Sequence, residues 1–578
     1  MDELYLKLMW SNLFGLRLFF AIIPQYGLVN IEEFDSPKSM AGILGLPGNN
    51  EGDKEIFYSS ITSGIPFIIL RVVNSVGIFG NVITSYLVLV SPRIWMACCS
   101  IIIDILVYKI AVDCGSNKKT ALTSMTLFAS SYVTWIYCTR TVHVVFEMII
   151  FAELILIGKS SNNIKKKQLD TISNILLMAT LIVLGTSINS SLAYFAFIPV
   201  SFWVVFPFSS IKKCLLKSLM FCVAFLIVSV LFVVMWNTYS NIDIIAELFQ
   251  NFDTTGLVAL GLRFCFYEPS FSNIKPESNS HIPDNTLQIT SLLFTMYGPV
   301  VIYIFKEVRK QILCRQTFST LMKRKDAILS YTLLLVIFLS IFFTSRVGFQ
   351  MCIVIVPITV LVSQYVASDK VFFIIHCLFN LSGFMYYAIF KYGGAVHSME
   401  FLGYLAKTAT HIDNMEVVLY KTPLLPHYLM ALPLKCETEM DVLCEEKNYA
   451  NIKFTEVTAD NLQKSLDDLI NQSDAMVILV IPGSISCQLV KKLRMLYDLQ
   501  LYYKYFPHVI NIHEIPDYAN THEWCDFNGG QHGKFSDLVE DKFTLNIFGV
   551  SKPMPRRPEI IERAKKLTIF VNNYSSSI

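Results

Sequence analysis

Two neighbouring glutamates, Glu32 and Glu33, follow the first apolar segment of the chain, and Asp35 lies two positions further on. A carboxylate just beyond the end of a membrane span, near the level of the lipid phosphates, is well placed to take a proton from a hydroxyl as a general base. An acidic loop of ordinary composition carries the same residue types. Both interpretations stay open from the residues alone.

Arg140 lies in a turn of two or three residues between two apolar runs. A cation at that position could bind a phosphate group. It could equally be an interfacial arginine that extends to water, or a partner for Glu147, seven positions on and about two helical turns away. Glu147 lies inside an apolar run, so we expect it to face the interior of a helix bundle, in a structural pair or at a ligand.

Arg93 and Asp104 are eleven residues apart, which is about three helical turns, so both lie on one face of one helix. Arg93 is near the end of its apolar run and could bind a phosphate, whereas Asp104 is deeper and is expected to be a structural ion-pair or hydrogen-bond partner. His281 lies in a polar stretch beside Pro283 and Asp284. It is either a ligand-binding or an ordinary surface histidine.

The composition excludes several classes of protein. Of 578 residues, 53% are hydrophobic and only 16% are charged, with a mean hydropathy of +0.50. Soluble chains carry charge at about 25% of positions, so a soluble, disordered or fibrous protein is excluded and an α-helical polytopic membrane protein is indicated. A net charge of +2 implies no nucleic-acid partner. The 14 cysteines form no CxxC pair and no Asp-x-Asp pair occurs, so no metal site is predicted.

Apolar segments of about 20 residues predict the membrane spans. Eleven spans are expected, near 5–23, 92–112, 120–138, 142–158, 172–188, 191–208, 218–236, 288–305, 327–345, 350–366 and 371–391. Segment 64–91 is also apolar but contains Arg71, Asn74 and Asn81, so we interpret it as a helix that lies at the interface or re-enters the membrane.

Basic residues cluster in 159–167, 212–217 and 306–325. These clusters fall on one side of the predicted bundle, and the positive-inside rule makes that side cytosolic, together with the N terminus. The loop at 24–60, the loop at 237–287 and the residues from 392 onwards are then expected in the lumen.

The C-terminal region changes from apolar runs to an alternation of strand and helix patterns. Strands are predicted at 451–456, 475–482 and 509–515, and amphipathic helices at 460–470 and 486–497. Such alternation is typical of a small α/β layer. The predicted organisation is therefore a transmembrane module at 1–391, with luminal loop and interfacial helices at 24–91 and a second luminal loop at 237–287, followed by a luminal α/β domain at 392–578.

Several stretches, in order and spacing, carry a family resemblance. They are residues 34–45 (FDSPKSMAGILG), 62–64 (TSG) followed by Arg71, Pro92 and Arg93 followed by Asp104, 131–134 (SYVT) and 139–141 (TRT) followed by Glu147, and 506–508 (FPH). Together they resemble the dolichol-phosphate-mannose-dependent mannosyltransferases, which are glycosyltransferase family 22 enzymes of the GT-C type.

The resemblance implies a GT-C-type bundle whose active site faces the lumen of the endoplasmic reticulum. The implied donor is dolichol-phosphate mannose, and the implied acceptor is a glycosylphosphatidylinositol (GPI) precursor that already bears three mannoses. The implied reaction inverts the anomeric carbon, forms an α1,2 linkage and needs no cofactor. The run of Ser36, Pro37, Met40 and Ala41 favours this fourth-mannose branch; the alternative is a member acting on the third GPI mannose or on an N-glycan precursor.

The family's His-Pro-Asp-Glu motif is replaced here by VNIEE at 29–33. Aligned without a gap, Glu32 takes the family glutamate's place; with a one-residue gap, Glu32 and Glu33 take those of the aspartate and glutamate. The resemblance thus implies Glu32 and Glu33 as catalytic residues. It implies substrate-binding roles for Arg93, Arg140, Glu147 and His281.

Two further polar blocks of the family are only partly kept. Asn189 keeps the Asn of an Asn-Arg-Pro block, and His281 keeps one histidine of a His-Gly-x-His pair. The missing motif at 29–33 favours, as a second class, a non-catalytic relative that binds lipid-linked glycan.

Overall fold

The computed structural model divides the chain into two compact units, which we call the helical unit and the sheet unit. The helical unit comprises Met1–Ile22, Glu51–Tyr58 and Arg93–Gly383, and the sheet unit comprises Ile23–Asn50, Ser59–Pro92 and Phe384–Ile578. Within them, the structure describes residues 3–23, 27, 31–47, 56–76, 83–160, 169–189, 192–205, 211–240, 294–313, 328–333, 351–366, 369–408, 412, 414–423, 425–432, 450–457, 461–472, 475–483, 487–508 and 544–551.

Apolar helices make up most of the described helical unit. In chain order they are Glu3–Ile22, Ser85–Asp113 (which begins in the sheet unit), Lys118–Ala129, Tyr132–Tyr137, Val144–Ser160, Leu169–Ile188, Leu192–Val205, Ile211–Ser240, Val300–Leu313, Ile355–Val366 and Lys370–Phe384. The helix Val144–Ser160 packs against both Leu169–Ile188 and Leu192–Val205. These three helices are apolar on all sides, and such helices are stable only inside a protein core or in lipid.

Three of the described helices are long and apolar enough to cross a membrane. They are Ser85–Asp113 with 29 residues, Cys214–Phe232 with 19 and Val371–Phe390 with 20. The helix Ile211–Ser240 exposes Leu215, Leu226 and Leu231, which is the pattern expected of a surface in contact with lipid. The prediction of an α-helical polytopic membrane protein is confirmed. The number of eleven spans stays a prediction.

The long helix Ser85–Asp113 begins seven residues before the predicted span at 92–112. The backbone N–H of Leu87 donates a hydrogen bond to the hydroxyl of Thr84 at 3.3 Å, and the helix then continues through Pro92. Residues 85–91 therefore belong to this helix rather than to a separate interfacial segment. The rest of segment 64–91 contains the 12-residue helix Ile65–Val76, and whether it crosses the membrane stays a prediction.

The predicted span at 120–138 is two helices, Lys118–Ala129 and Tyr132–Tyr137, with a break at Ser130 and Ser131. Two side chains of the second helix satisfy carbonyls at the break: Thr134 donates to the Phe128 carbonyl and the indole of Trp135 to the Ala129 carbonyl, both at 2.7 Å. Apolarity alone cannot reveal this break, because the residues on both sides of it, from 121 to 137, are buried. Residues 288–293 and 334–345 of two other predicted spans lie outside the described residues.

The described part of the sheet unit contains a five-stranded mixed sheet. Its strands are β1 Asn414–Tyr420, β2 Asn451–Val457, β3 Met476–Pro482, β4 Asp498–Tyr505 and β5 Leu545–Ser551, in the order β2-β1-β3-β5-β4. Strands β2, β1 and β3 are parallel, with Val417 opposite both Phe454 and Ile478. Strand β5 is antiparallel to β3 and to β4.

Both faces of this sheet are covered. Met415, Val417 and Leu419 of β1 point to a first face, which also buries residues of the helix Gly393–Thr408 and of segment 34–46. Alternate residues of β1 and β3 point to a second face, covered by the helices Leu462–Gln472 and Cys487–Leu496. Because neither face meets water, β1 and β3 are nearly continuous apolar runs.

The predicted α/β layer is confirmed. The patterns at 451–456 and 475–482 are β2 and β3, those at 460–470 and 486–497 are the two helices of the second face, and 509–515 lies outside the described residues. Strands β1, β4 and β5 were missed. In β4 the alternation is interrupted by a bulge between Leu501 and Tyr503, where the ring of Tyr502 occupies the space that a side chain at Gly549 would need.

Candidate functional site

Glu32 and Glu33 lie in the 3₁₀-helix Ile31–Phe34, which continues into the helix Asp35–Met40. Phe34 anchors this segment in the core of the first sheet face, and Glu33 is only 2% exposed. Asp35, the third carboxylate in the stretch, is exposed. Of these carboxylates Glu33 is therefore held inside the sheet unit, which is unusual for a group that is costly to bury.

Three hydroxyls meet beside this segment, and we call Ser36, Thr62 and Ser63 the hydroxyl cluster. The Ser36 Oγ is hydrogen-bonded to the Thr62 Oγ1 and lies 2.8 Å from the Ser63 Oγ. All three side chains are buried. The cluster joins residues 34–45 and 62–64, two of the stretches on which the family resemblance rests.

Thr62 and Ser63 are positioned by a π-helical turn, Ser60–Gly64, that leads into the helix Ile65–Val76. Single π-helical turns occur frequently at functional sites. Glu33 and Ser36 are three residues apart along one helical segment, so their side chains start from the same face, with Cβ atoms about 5–6 Å apart. The buried carboxylate of Glu33 and the hydroxyl of Ser36, which can donate or accept a hydrogen bond, thus start from one face of this helical segment.

In the helical unit, Arg140 lies at the bend between the helices Tyr132–Tyr137 and Val144–Ser160. The hydroxyl of Thr139 donates a hydrogen bond to the Trp135 carbonyl at 2.7 Å and so closes the preceding turn. Arg140 is 0% exposed. It is enclosed by protein, which argues against an interfacial arginine that extends to water.

Glu147 is fully buried in the helix Val144–Ser160 and faces the bundle interior, as its position in an apolar run predicts. Its Oε1 accepts a hydrogen bond from the side-chain amide of Asn189 at 2.8 Å and lies 3.2 Å from Nε2 of His143. Its Oε2 makes no hydrogen bond within the described residues. Glu147 and Asn189 come from two separate stretches of the resemblance, so the fold brings these stretches together as well.

Arg93 and Asp104 are both buried on the helix Ser85–Asp113. Asp104 accepts hydrogen bonds from Arg17 at 3.2 Å and from the indole of Trp10 at 3.0 Å, and Arg17 also donates to Ser100 at 2.6 Å. The structural role expected for Asp104 is confirmed. Arg17 was missed as its partner, although a lone arginine and a lone aspartate in apolar segments already indicate a pair.

Asn380 was also missed by sequence reasoning. Its side-chain oxygen accepts a hydrogen bond from the backbone N–H of Tyr132 at 2.8 Å and so supports the start of the stretch 131–134. Asn380 lies in an apolar helix, 248 positions from Tyr132 in the chain. The feature of the sequence that marks it is a polar side chain among apolar residues. His281 lies outside the described residues.

Among the residues that the structure describes, no three His, Cys, Asp or Glu side chains come together as a metal site.

Comparison with known proteins identifies one relative. The chain is 29% identical over 167 residues to human GPI alpha-1,2-mannosyltransferase 4, and the match covers 27% of this chain and 28% of the human protein. The resemblance inferred from the sequence is confirmed. The matched region thus spans less than a third of the length of that relative, and no family model matches the chain.

Solved structures with similar folds have low similarity scores. ArnT from Cupriavidus metallidurans, bound to undecaprenyl phosphate, aligns with 87% of this chain and 96% of its own at 10% identity and a TM-score of 0.37. The oligosaccharyltransferase AglB from Archaeoglobus fulgidus, in complex with an inhibitory peptide and a dolichol-phosphate, aligns with 71% and 62% at 10% identity and a TM-score of 0.34.

Proposed function

We propose that this protein is a mannosyltransferase of the GT-C type in the endoplasmic reticulum membrane. It would transfer mannose from dolichol-phosphate mannose to the third mannose of a GPI precursor, with inversion and an α1,2 linkage. The observation that carries the proposal is the similarity to human GPI alpha-1,2-mannosyltransferase 4 over 167 residues. The hydroxyl cluster supports it, because it joins two of the family-like stretches through buried hydrogen bonds.

The proposed base is a carboxylate of the segment Ile31–Phe34. An inverting transfer needs one carboxylate to take the proton from the attacking acceptor hydroxyl, and a phosphate-linked donor needs no acid for its leaving group. Glu33 is the better supported on structural grounds, since it is buried on the same face as Ser36. Glu32 is the other candidate, because both alignments of the family motif put a carboxylate at its position.

The proposed phosphate ligands are Arg140 and Arg93. An arginine enclosed by protein forms stronger charge-assisted hydrogen bonds to a phosphate than one in water, and it would stabilise the charge that develops as dolichyl phosphate leaves. We assign Glu147 to the acceptor, because its Oε2 can accept a hydrogen bond from a sugar hydroxyl while Oε1 stays bonded to Asn189. His281 is retained as a substrate-binding candidate from the resemblance alone.

No cofactor is proposed, because the bond to phosphate already activates the donor sugar. Excess EDTA is therefore expected to leave mannose transfer unchanged, and activity restored only by added divalent metal would contradict this part of the proposal.

The proposed topology puts the N terminus in the cytosol and the residues from 392 onwards in the lumen. The substrates are lipid-linked, so the partners are the GPI precursor, the donor and membrane lipids, without nucleic acid.

A second candidate is a non-catalytic relative that binds lipid-linked glycan. The specific observation in its favour is the sequence VNIEE at 29–33, in place of the family's His-Pro-Asp-Glu. A third is a family member with a different acceptor. Complementation of cells that lack the fourth-mannose activity distinguishes these two candidates from the proposed enzyme.

The test is complementation of cells that lack the fourth-mannose activity, followed by sizing of their GPI precursors. The wild type, Glu33→Gln and Glu32→Gln are compared, with Asp35→Asn as the matched control, because it removes an exposed carboxylate from the same segment. We expect a four-mannose species with the wild type and with Asp35→Asn, and its loss with one of the glutamine variants.

A well-expressed wild type that never lengthens the glycan argues against the fourth-mannose activity. Lysates supplied with the three-mannose, two-mannose and N-glycan precursors then distinguish a different acceptor from the absence of transfer. Full activity in both glutamine variants would contradict the assignment of the base but not of the reaction.

A further inference from the structure

A cavity in the helical unit is lined by none of the residues proposed for mannose transfer. It has a volume of about 440 Å³ and lies at the end of the helix Ser85–Asp113 and the start of the helix Lys118–Ala129. Its lining residues are Tyr108, Lys109, Val112, Asp113, Ser116, Lys118, Leu156, Ile157 and Asn174. The topology predicted from charge assigns the turn at 114–117 to the cytosolic side, opposite the luminal side proposed for mannose transfer.

The charged and hydroxyl side chains that line this cavity, which we call its rim, carry a net positive charge. Lys109 and Lys118 contribute two positive charges against one negative charge from Asp113. Neither lysine makes an ion pair or a hydrogen bond within the described residues, and the buried Oγ of Ser116 likewise lacks a partner there. The first backbone N–H groups of the helix Lys118–Ala129 add the positive end of its dipole.

Three apolar side chains also line the cavity, and we call them its floor: Val112, which is 41% exposed, Leu156 and Ile157. A free anion would use the lysines but would gain nothing from this floor. A molecule that carries both an anionic head and hydrocarbon chains satisfies both parts of the cavity.

We propose that this cavity binds the headgroup of an anionic glycerophospholipid. The phosphate contacts Lys109 and Lys118, and the first carbons of the acyl chains lie on Val112 and Ile157. Basic pockets between transmembrane helices on the cytoplasmic side recognise anionic headgroups in this way, and anionic lipids are concentrated in that leaflet. The sequence 165–167, three consecutive lysines that follow the helix Val144–Ser160 in the chain, adds positive charge to the same predicted side.

The test uses the full-length protein purified in a mild detergent. Phosphatidylserine or phosphatidylcholine is added, and native mass spectrometry measures the lipid that each variant retains. The cavity variant is Lys109→Ala/Lys118→Ala. The matched control is Lys212→Ala/Arg309→Ala, which removes two exposed basic residues on the same predicted side that do not line the cavity.

We expect the wild type and the control to retain phosphatidylserine in preference to phosphatidylcholine. The cavity variant is expected to bind phosphatidylserine about 30-fold more weakly, because each basic residue beside an anionic lipid contributes about 1 kcal/mol. Val112→Trp, which fills the floor without a change of charge, is expected to lower retention as well.

Three results would overturn the proposal. The first is equal retention of the two lipids by the wild type, and the second is an equal loss in the cavity and control variants. The third is thermal stabilisation by inorganic phosphate that matches the effect of phosphatidylserine and is insensitive to Val112→Trp. That result would identify a free anion as the ligand.

Discussion

The Oγ of Ser36 lies 2.8 Å from the Oγ of Ser63, and this contact joins two segments 27 positions apart in the chain. Neither serine would attract notice by its type. Ser36 follows the acidic 3₁₀-helix Ile31–Phe34, and Ser63 lies in a π-helical turn, so the contact sets the position of the proposed base relative to the helix Ile65–Val76.

Replacing the central hydroxyl of this cluster should destabilise the sheet unit. In Ser36→Ala, Thr62 and Ser63 each lose a hydrogen bond; the Thr62 hydroxyl keeps its bond to the Ser59 carbonyl at 3.4 Å, whereas Ser63 loses the partner that the structure describes for its buried hydroxyl. A buried group left unsatisfied costs about 1–3 kcal/mol. Ser39→Ala is the control in the same short helix, because among the residues that the structure describes its partly buried hydroxyl bonds only to the Ser36 carbonyl. Thermal denaturation in detergent checks this, and equal midpoints for the two variants would contradict it.

The pair of Arg17 and Asp104 should couple strongly. Both side chains are fully buried, so Arg17→Met or Asp104→Leu alone leaves an uncompensated buried charge, which costs about 3–5 kcal/mol. The double variant removes both charges and should recover much of that loss. Folded yield and thermal midpoint of the four proteins give the double-mutant cycle, and additive effects of the two single changes would show that the pair is not coupled.

The contact of Asn189 with Glu147 should matter for stability more than the charge of Glu147 does. Asn189→Leu removes the amide that donates to Oε1 at 2.8 Å, and the loss of this partner from a buried carboxyl costs about 1–3 kcal/mol. Glu147→Gln keeps an oxygen that accepts from Asn189, so its thermal midpoint should stay closer to that of the wild type.

Thr180→Ala is the control, because Thr180 lies on the helix Leu169–Ile188 that precedes Asn189 and, within the described residues, its hydroxyl bonds only to the Leu176 carbonyl. If Asn189→Leu has the same thermal midpoint as Thr180→Ala, the contact of Asn189 with Glu147 does not stabilise the fold. If Glu147→Gln is stable but lacks transferase activity, the result supports the acceptor role proposed for Glu147.

Acid should destabilise the sheet unit through His508. Burial lowers the pKa of His508 from 6.5 to about 3, and its Nδ1 accepts a hydrogen bond from the Gly394 N–H at 3.2 Å, so Nε2 carries the proton. The unfolded chain binds a proton below pH 6.5 that the folded protein takes up only near pH 3. Stability is therefore fully present above pH 6.5 and falls by up to about 1.4 kcal/mol for each pH unit down to about pH 3.

The His508→Gln variant cannot take up this proton, and it should lose part of the acid sensitivity between pH 6.5 and pH 4. Thermal midpoints measured across that range for the wild type and the variant check the prediction. Parallel pH profiles for the two proteins would show that another group is responsible.

Much of the architecture was predictable from local sequence. Apolar segments identify helices such as Val144–Ser160 and Leu169–Ile188, because a helix in lipid needs a long apolar run whatever its neighbours are. Strands β2 and β3 and their two helices were also predictable, since their patterns are amphipathic or uniformly apolar. Strand β4 was not, because a bulge at the sheet edge shifts its alternation.

Sequence by itself therefore determined the class of the protein, most helices and the candidate residues Glu32, Glu33, Arg140 and Glu147. Tertiary structure alone decided which polar groups meet: Arg17 with Asp104, Asn189 with Glu147, and Ser36 with Thr62 and Ser63. The physical reason is that hydropathy is a property of each segment, whereas a buried polar group is stable only with a partner, and that partner is chosen by packing between segments far apart in the chain.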